Sequence, residues 1–195
     1  MKQSPVDIIL KEVVQKSTVT LKNKLPNLKS HFSFEYDAVK FSADEDGKGK
    51  TIVEGDGKDE EYMFLHFQIH SPSEHKIDGF HYDAEVQFHH KSSKDDEQYM
   101  VISVLLDTDS GHWKSTADFF EHFEFGKWED WEEEEESEEL KVNIRKFFDR
   151  MEDKSFWNYE GSLTTPPCTE GVRWFVIREV QWINPDHLSF LQKRF

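Results

Sequence analysis

The sequence lacks several features that would place it in common protein classes. It has one cysteine, Cys168, so no disulfide can form within the chain, and this favours a reducing compartment. No apolar run approaches the roughly 20 residues of a membrane-spanning helix, so we expect no transmembrane segment. The opening MKQSPVDIIL is too short and polar for a full secretory signal, and the sequence assigns no compartment.

Basic residues are also scarce. The chain has 24 Lys and Arg against 40 Asp and Glu, which gives a net charge of −16. Such a charge repels nucleic acid phosphates, so we exclude nucleic acid as a partner. Aromatic residues, in contrast, make up 14% of the 195 residues, which is ample material for a packed core. Because no repeat or linker divides the sequence, we predict a single domain over residues 1–195.

Alternation of apolar and polar residues predicts several β-strands. The run YMVISVLL is continuously apolar, which is typical of a strand buried on both faces. Other segments alternate with the period of two that marks half-buried strands. The strand-like segments are 17–21, 31–36, 62–70, 82–90, 99–106 and 172–183.

Residues 116–150 differ from the rest of the chain. The sequences TADFFEHF and ELKVNIRKFF have helical spacing of apolar residues. Between them lies WEDWEEEEESEE, residues 128–139, which is too densely acidic to be buried. We expect an exposed loop at 128–139. A second interpretation is a contact strip for a basic protein partner within a larger assembly.

Two of the predicted strands carry unusual polar faces. In 62–70 the residues Leu65, Phe67 and Ile69 share one face, and Val86 and Phe88 do so in 82–90. These faces should pack on the core. The opposite faces bear imidazoles and amides, which indicate a cavity lined for chemistry, although an ordinary sheet surface that meets water is the alternative. These polar residues are His66, Gln68, His70, Glu85, Gln87 and His89.

Four motifs together resemble the α-class carbonic anhydrases in order and spacing. The resemblance runs from residue 3 to the end and implies one large twisted, mostly antiparallel central β-sheet with short peripheral helices. The segment that usually precedes QSP in the family is missing from this sequence, so we expect one flank of the sheet to be less covered. The motifs are QSPVDI (3–8), FLHFQIHSPSEH (64–75), YDAEVQFHH (82–90) and GSLTTPPCTEGVRWFV (161–176).

The resemblance implies three zinc-binding positions, which in the family hold histidine. Here they are Gln68, His70 and Gln87, so only His70 keeps the ligand. Catalytic zinc needs three good protein ligands, and a neutral amide oxygen suits harder cations. Without the ion, nothing lowers the pKa of water from about 15.7 to about 7. The chain is thus most similar to the carbonic anhydrase-related proteins, and we expect no bound cofactor.

Other positions match the family's pocket. Thr164 matches the threonine that orients the zinc-bound hydroxide, and Glu74 matches the carboxylate that accepts its proton. A buried Thr–Glu hydrogen bond with a structural role is the alternative. Glu85 matches the carboxylate that steadies the third zinc histidine, and it would now face an amide donor. Val101 and Trp174 match apolar residues that line the pocket.

Two further matches leave alternatives open. His31, in SHFSFEYD, is the nearest candidate for the family's proton-shuttle histidine, but another register places no histidine there. His31 is then simply a partly exposed strand residue. Cys168 matches a cysteine that, in secreted members, pairs with one ahead of QSP. Since that partner is absent from this sequence, we expect a free, buried and inert thiol.

A shifted metal site is a further alternative. If Gln68 and Gln87 lie opposite each other on antiparallel strands, His66 lies opposite His89. Side chains at such positions have Cβ atoms about 4.5–5.5 Å apart, so two imidazoles could share an ion. His70 is four residues further along the strand than His66, about 13 Å away, and is too distant to join them.

Three functions therefore stay open at this point. The first is a carbonic anhydrase-like protein that has lost zinc and CO2 hydration and is retained as a structural or binding subunit. The second is an active zinc-dependent lyase that hydrates CO2 with an altered set of ligands. The third is a metal-free module that binds a small anion through the Thr164 backbone N–H and the cavity amides.

Overall fold

Short strands dominate the structure, a computed structural model that describes residues 2–14, 18–25, 27–35, 38–43, 49–55, 57–110, 119, 123 and 140–194. A 3₁₀ helix spans Leu10–Glu12, and the described ranges include the α-helices α1 (Ile144–Asp149) and α2 (Pro185–Arg194). Within these described residues, no helix is long and apolar enough to cross a membrane. The strands are β1 (Asp7–Ile8), β2 (Thr20–Lys24), β3 (Asn27–Glu35), β4 (Ala38–Ala43), β5 (Lys50–Gly55), β6 (Lys58–His70), β7 (Lys76–Ile77), β8 (Phe80–His81), β9 (Ala84–Ser92), β10 (Tyr99–Asp107), β11 (Leu140–Asn143), β12 (Phe156–Ser162) and β13 (Glu170–Trp182).

One ten-stranded sheet organises the molecule and confirms the mainly β prediction. Its strands lie in the order β11-β3-β4-β6-β9-β10-β13-β12, and β2 and β5 add a branch at β6. Strands β10 and β13 are parallel, and the other pairs in this sheet are antiparallel. A small second sheet has the order β1-β7-β8. Strands β6 and β9 therefore lie near the middle of the large sheet, with neighbours on both sides.

A phenylalanine-rich core covers one face of the large sheet. Phe41 and Phe67 stack with their ring centroids 4.4 Å apart, and Phe88 lies 5.6 Å from Phe67. Helix α1 contributes Phe147, which lies 5.8 Å from Phe88. The other face is also apolar along β10, where Val101 packs with Trp174. Strand β10 is thus buried on both faces, as its sequence predicts.

A β-bulge corrects the predicted face of β6. Phe64 pairs with His90, whereas His66 pairs with the preceding residue, His89, so Leu65 is an extra residue on β6. The expectation that Leu65 shares the core face with Phe67 is therefore wrong. Phe64 takes that place and is fully buried, whereas Leu65 is half-buried.

The helical pattern in ELKVNIRKFF is correct only for its second half. Residues Leu140–Asn143 form β11 and pair with β3, and the helix starts at Ile144. Asn143 caps it, because its side-chain oxygen accepts a hydrogen bond from the Lys146 amide at 2.9 Å. Of TADFFEHF, only Phe119 and Phe123 are described, and both are buried. The acidic segment 128–139 lies outside the described residues.

Candidate functional site

The pairing of β6 with β9 brings the predicted polar residues together. Gln68 lies opposite Gln87, His66 opposite His89, and His70 opposite Glu85, which confirms the predicted register. This polar face does not meet water as an ordinary sheet surface would. Gln68, His70, Glu85, Gln87 and His89 are each no more than 6% exposed. A buried face of imidazoles and amides requires a chemical explanation, because burying polar groups costs free energy.

The amide of Gln87 is held by two carboxylates. Its Nε2 donates to Glu74 Oε2 at 2.5 Å and to Glu85 Oε1 at 3.1 Å. The opposite orientation of the amide would set its oxygen against both carboxylates, so this hydrogen-bond network determines which way the amide points. Gln87 Oε1 is consequently directed away from them, and it is buried with no hydrogen-bond partner among the described residues.

Glu85 is the centre of a buried hydrogen-bond network. It accepts from His75 Nδ1 at 2.8 Å, from the His75 backbone amide at 2.9 Å and from Ser103 Oγ at 2.7 Å. Burial raises the pKa of Glu85, but the charge and hydrogen bonds of His75, together with the Ser103 bond, outweigh it and hold the pKa at about 2. Glu85 is therefore a carboxylate at neutral pH, and Gln87 donates to a charged acceptor.

The hydrogen-bond network continues from His75 to the residues that precede β1. The other ring nitrogen of His75, Nε2, lies 2.6 Å from the Tyr159 hydroxyl, and Tyr159 contacts Ser4 Oγ at 3.0 Å. Burial raises the pKa of Tyr159, so its hydroxyl stays protonated. Sequence reasoning did not select His75, Tyr159, Ser4 or Ser103. His75 ends a motif used for the resemblance, whereas Tyr159 carries no local signal.

The hydrogen bond implied between Thr164 and Glu74 is not formed. Thr164 Oγ1 is buried and has no partner in the described part of the chain, while Glu74 accepts from Gln87. His70 Nε2 lies 3.8 Å from Glu74 Oε2. Gln87, at the third zinc position, is the residue that donates to this carboxylate instead. Thr164 follows Leu163, which packs with the expected lining residues Val101 and Trp174.

His66 and His89 are stacked rather than convergent. Their ring centroids are 4.5 Å apart and their planes differ by 14°, so the in-plane lone pairs do not meet at one point. Burial lowers the pKa of His66 to about 3, with the Lys40 charge adding to the effect, and burial also lowers the pKa of His89. Both rings are neutral at neutral pH. Within the described ranges, no three His, Cys, Asp or Glu side chains are grouped as a metal site would need.

The last two predicted positions lie further away. His31 on β3 pairs with Ser42, and Ser42 pairs with His66, so His31 shares their row two strands from β6. At about 4.8 Å per strand this is about 10 Å from His66. Cys168 is a free thiol as expected, but it is half-buried rather than buried, because it lies beyond the end of β12 in the loop to β13.

Comparison with known proteins agrees with this architecture. The model of the eukaryotic-type carbonic anhydrases matches residues 1–195. The chain belongs to this family. A putative carbonic anhydrase 3 of Caenorhabditis elegans is 27% identical over 200 residues, which cover 98% of this chain and 78% of that protein.

The chain is also similar to the dioscorins. Dioscorin dioA3 of Dioscorea japonica is 30% identical over 136 residues, covering 68% of this chain and 46% of that relative. The chain thus spans about half the length of the first curated relatives that it matches. A crystal structure of dioscorin complexed with ascorbate has a TM-score of 0.81 and 25% identity, and the match covers 99% of this chain and 76% of that one.

Zinc, the metal that the family implies, does not fit the donors at its three positions. His70 offers an imidazole, but Gln68 and Gln87 offer only amide oxygens. Protein zinc sites use imidazole, thiolate or carboxylate ligands, and neutral amide oxygens suit harder cations. The Gln87 nitrogen has no lone pair to give, and it already donates to Glu74 and Glu85.

Proposed function

We propose that this carbonic anhydrase family member neither holds catalytic zinc nor hydrates CO2, and that it serves as a binding or structural subunit. The observation that carries this proposal is the glutamine pair, Gln68 and Gln87, which lie opposite each other at two of the three zinc positions. Changing an outer partner of a zinc ligand already costs roughly 10–100-fold in affinity or activity. The loss of two of the three imidazole ligands is a larger change.

The surroundings of Gln87 support the same proposal. The amide is integrated into the fold, because its nitrogen donates to Glu74 and to Glu85. The amide nitrogen cannot bind a cation, because it has no free lone pair. The alternative of an active lyase therefore needs the amide oxygens to replace two imidazoles as zinc ligands.

Binding of a small molecule is a second candidate function at the same face. Gln87 Oε1 and Gln68 Oε1 are buried polar atoms with no partner among the described residues, which is the arrangement expected where a ligand completes the hydrogen bonds. A dioscorin has been crystallised with ascorbate, which supports retention of this fold for small-molecule binding. Whether a protein partner binds the acidic segment 128–139 stays a prediction.

Metal analysis combined with stopped-flow hydration tests the proposal. The purified chain is incubated with excess zinc, desalted, analysed for metal and assayed for CO2 hydration. We expect substoichiometric zinc and hydration at the uncatalysed rate. One tightly held zinc per chain together with turnover above that rate would show that the proposal is wrong. A zinc-loaded member of the family with three histidines serves as the positive control.

A further inference from the structure

Four buried polar atoms around the glutamine pair have no hydrogen-bond partner in the described part of the chain. They are Gln68 Oε1, Gln87 Oε1, His89 Nε2 and Thr164 Oγ1. Native structures leave few buried polar groups unpaired, and each one calls for an explanation. Here the unpaired atoms are not scattered. Gln68 and Gln87 form one cross-strand pair and His89 belongs to the adjacent pair of the same two strands.

Thr164 belongs to the same region through its neighbours. Leu163 packs with Val101 and Trp174, and Val101 pairs with His89 across β9 and β10. Three of the four residues thus lie in adjacent cross-strand pairs of β6 and β9, and Thr164 follows a residue that packs on the neighbouring strand β10.

Each glutamine of the pair leaves an acceptor unpaired. Both N–H groups of the Gln87 amide donate to Glu74 and Glu85, so its oxygen is the group left to bond elsewhere. Gln68 Oε1 is likewise buried without a partner among the described residues, and the Cβ atoms of cross-strand partners are about 4.5–5.5 Å apart, so the two side chains start from adjacent points on the sheet. Two adjacent acceptors are satisfied by two adjacent donors on one molecule.

The charges around the pair disfavour ions of either sign. An anion such as bicarbonate would meet two amide oxygens and the nearby carboxylate of Glu74. A cation would meet the positive field of Lys40, whose charge already disfavours protonation of His66 and His89. An ion of either sign therefore meets one repulsive and one attractive charge, and in this buried site it also loses its hydration, a cost that an uncharged ligand avoids.

We infer that the glutamine pair binds an uncharged small molecule with two adjacent hydroxyl groups, which donate to Gln68 Oε1 and Gln87 Oε1. The inference rests on the proposed function, because the diol occupies the position that zinc would take. It replaces the small anion of the third alternative from the sequence with an uncharged hydrogen-bond donor. His89 Nε2 and Thr164 Oγ1, the other two unpaired atoms of this group, are the candidates for contacts with further polar groups of such a ligand.

The test is an NMR titration of the isotopically labelled chain with cis-1,2-cyclohexanediol. Its dimethyl ether and bicarbonate serve as matched controls, since the first has the same carbon ring without donors and the second is the anion. We expect saturable shifts of the Gln68 and Gln87 side-chain amide signals with the diol alone. Absence of saturation with the diol, equal binding of the ether, or tighter binding of bicarbonate would each overturn the inference.

Variants locate the binding site. We expect Gln68→Leu and Gln87→Leu each to weaken diol binding by about 10-fold, since each removes one acceptor. Gln98→Leu is the matched control, because Gln98 is exposed and lies away from the pair. If Gln87→Leu fails to fold, Gln68→Leu tests the inference alone, because no described hydrogen bond of the network depends on Gln68. Unchanged affinity of Gln68→Leu for the diol overturns the inference.

The two proposals fail in different ways. Tightly bound zinc in the purified chain contradicts the proposed function, whatever the diol does. A zinc-free chain that does not bind the diol contradicts only the present inference.

Discussion

Gln87 donates a hydrogen bond of 2.5 Å to Glu74, at the place where the family resemblance assigns a zinc histidine and a carboxylate paired with threonine. Two departures from the expected pocket accompany this contact. The carboxylate accepts from Gln87 and not from Thr164, and the amide oxygen of Gln87 is directed away from Glu74 and Glu85. The predictions below follow from this contact and from the buried groups around it.

Restoring both histidines should restore zinc binding. In the Gln68→His/Gln87→His variant, three imidazoles including His70 occupy the family's ligand positions. An imidazole N–H at position 87 would meet the same Glu85 acceptor that now lies 3.1 Å from the amide. We expect about one zinc per chain by metal analysis, held more than ~100-fold tighter than in the parent chain.

The control for this prediction adds His70→Ala to the double variant. That triple variant should lose the zinc, because two imidazoles make a weak site. If the double variant folds but holds no zinc, the two glutamines are not the sole reason that the parent chain lacks a zinc site.

Removing the Thr164 hydroxyl should not destabilise the fold. Thr164 Oγ1 is buried without a partner among the described residues, so Thr164→Val replaces a desolvated hydroxyl with a methyl group of the same shape. We expect the free energy of unfolding to stay the same or rise by about 1 kcal/mol in urea denaturation. Thr51→Val is the comparison, because the Thr51 hydroxyl bonds to Asn23 and His90. A loss in Thr164→Val as large as in Thr51→Val would contradict the assignment.

Glu85 should make the fold sensitive to acid. Its pKa falls from 4.5 to about 2 on folding, so its stabilisation is fully present above pH 4.5 and is lost as the pH falls towards 2. The loss between pH 7 and pH 3 is about 2 kcal/mol. Glu85→Gln should be less stable than the parent at pH 7 and should lose less stability on acidification.

Urea denaturation at pH 7 and pH 3 measures this difference. Glu97→Gln is the matched control, since Glu97 is exposed and should leave the pH dependence unchanged. Parallel acid profiles for Glu85→Gln and the parent chain would exclude this role for Glu85.

His90 should destabilise the fold at mildly acidic pH. It is fully buried in the phenylalanine core, where its Nδ1 donates to the Phe88 carbonyl at 2.9 Å and Thr51 contacts its Nε2 at 3.1 Å. Burial lowers its pKa from 6.5 to about 4, although the backbone hydrogen bonds partly offset it. The unfolded chain therefore binds the proton more readily, and stability is lost as the pH falls from 6.5 towards 4.

The expected loss from His90 is about 2 kcal/mol between pH 7 and pH 5. His90→Gln should reduce the loss of stability between the two pH values by about this amount in denaturation experiments, while the buried His66 and His89 still contribute to the remaining loss. His81→Gln serves as the control, because His81 is exposed. An undiminished slope in His90→Gln would assign the effect to another group.

Much of the site's arrangement could be predicted from residue spacing. The side-chain period of a strand is two, so pairing Gln68 with Gln87 necessarily pairs His66 with His89. The same periodicity gave a wrong face for Leu65, because a bulge adds a residue to one strand without any composition signal. The pattern ELKVNIRKFF likewise predicted a helix that is too long, since pairing with β3 draws Leu140–Asn143 into the sheet.

The sequence by itself determined the family, the mainly β fold and the donors at the three zinc positions, because these depend on which residues stand at which spacing. Only the tertiary structure decided where the polar groups of those donors point. The Gln87 amide could have faced either way, and its direction depends on Glu74 and Glu85, which the packing of other segments brings beside it. Hydrogen-bond direction depends on neighbours distant in the chain, and no local pattern encodes it.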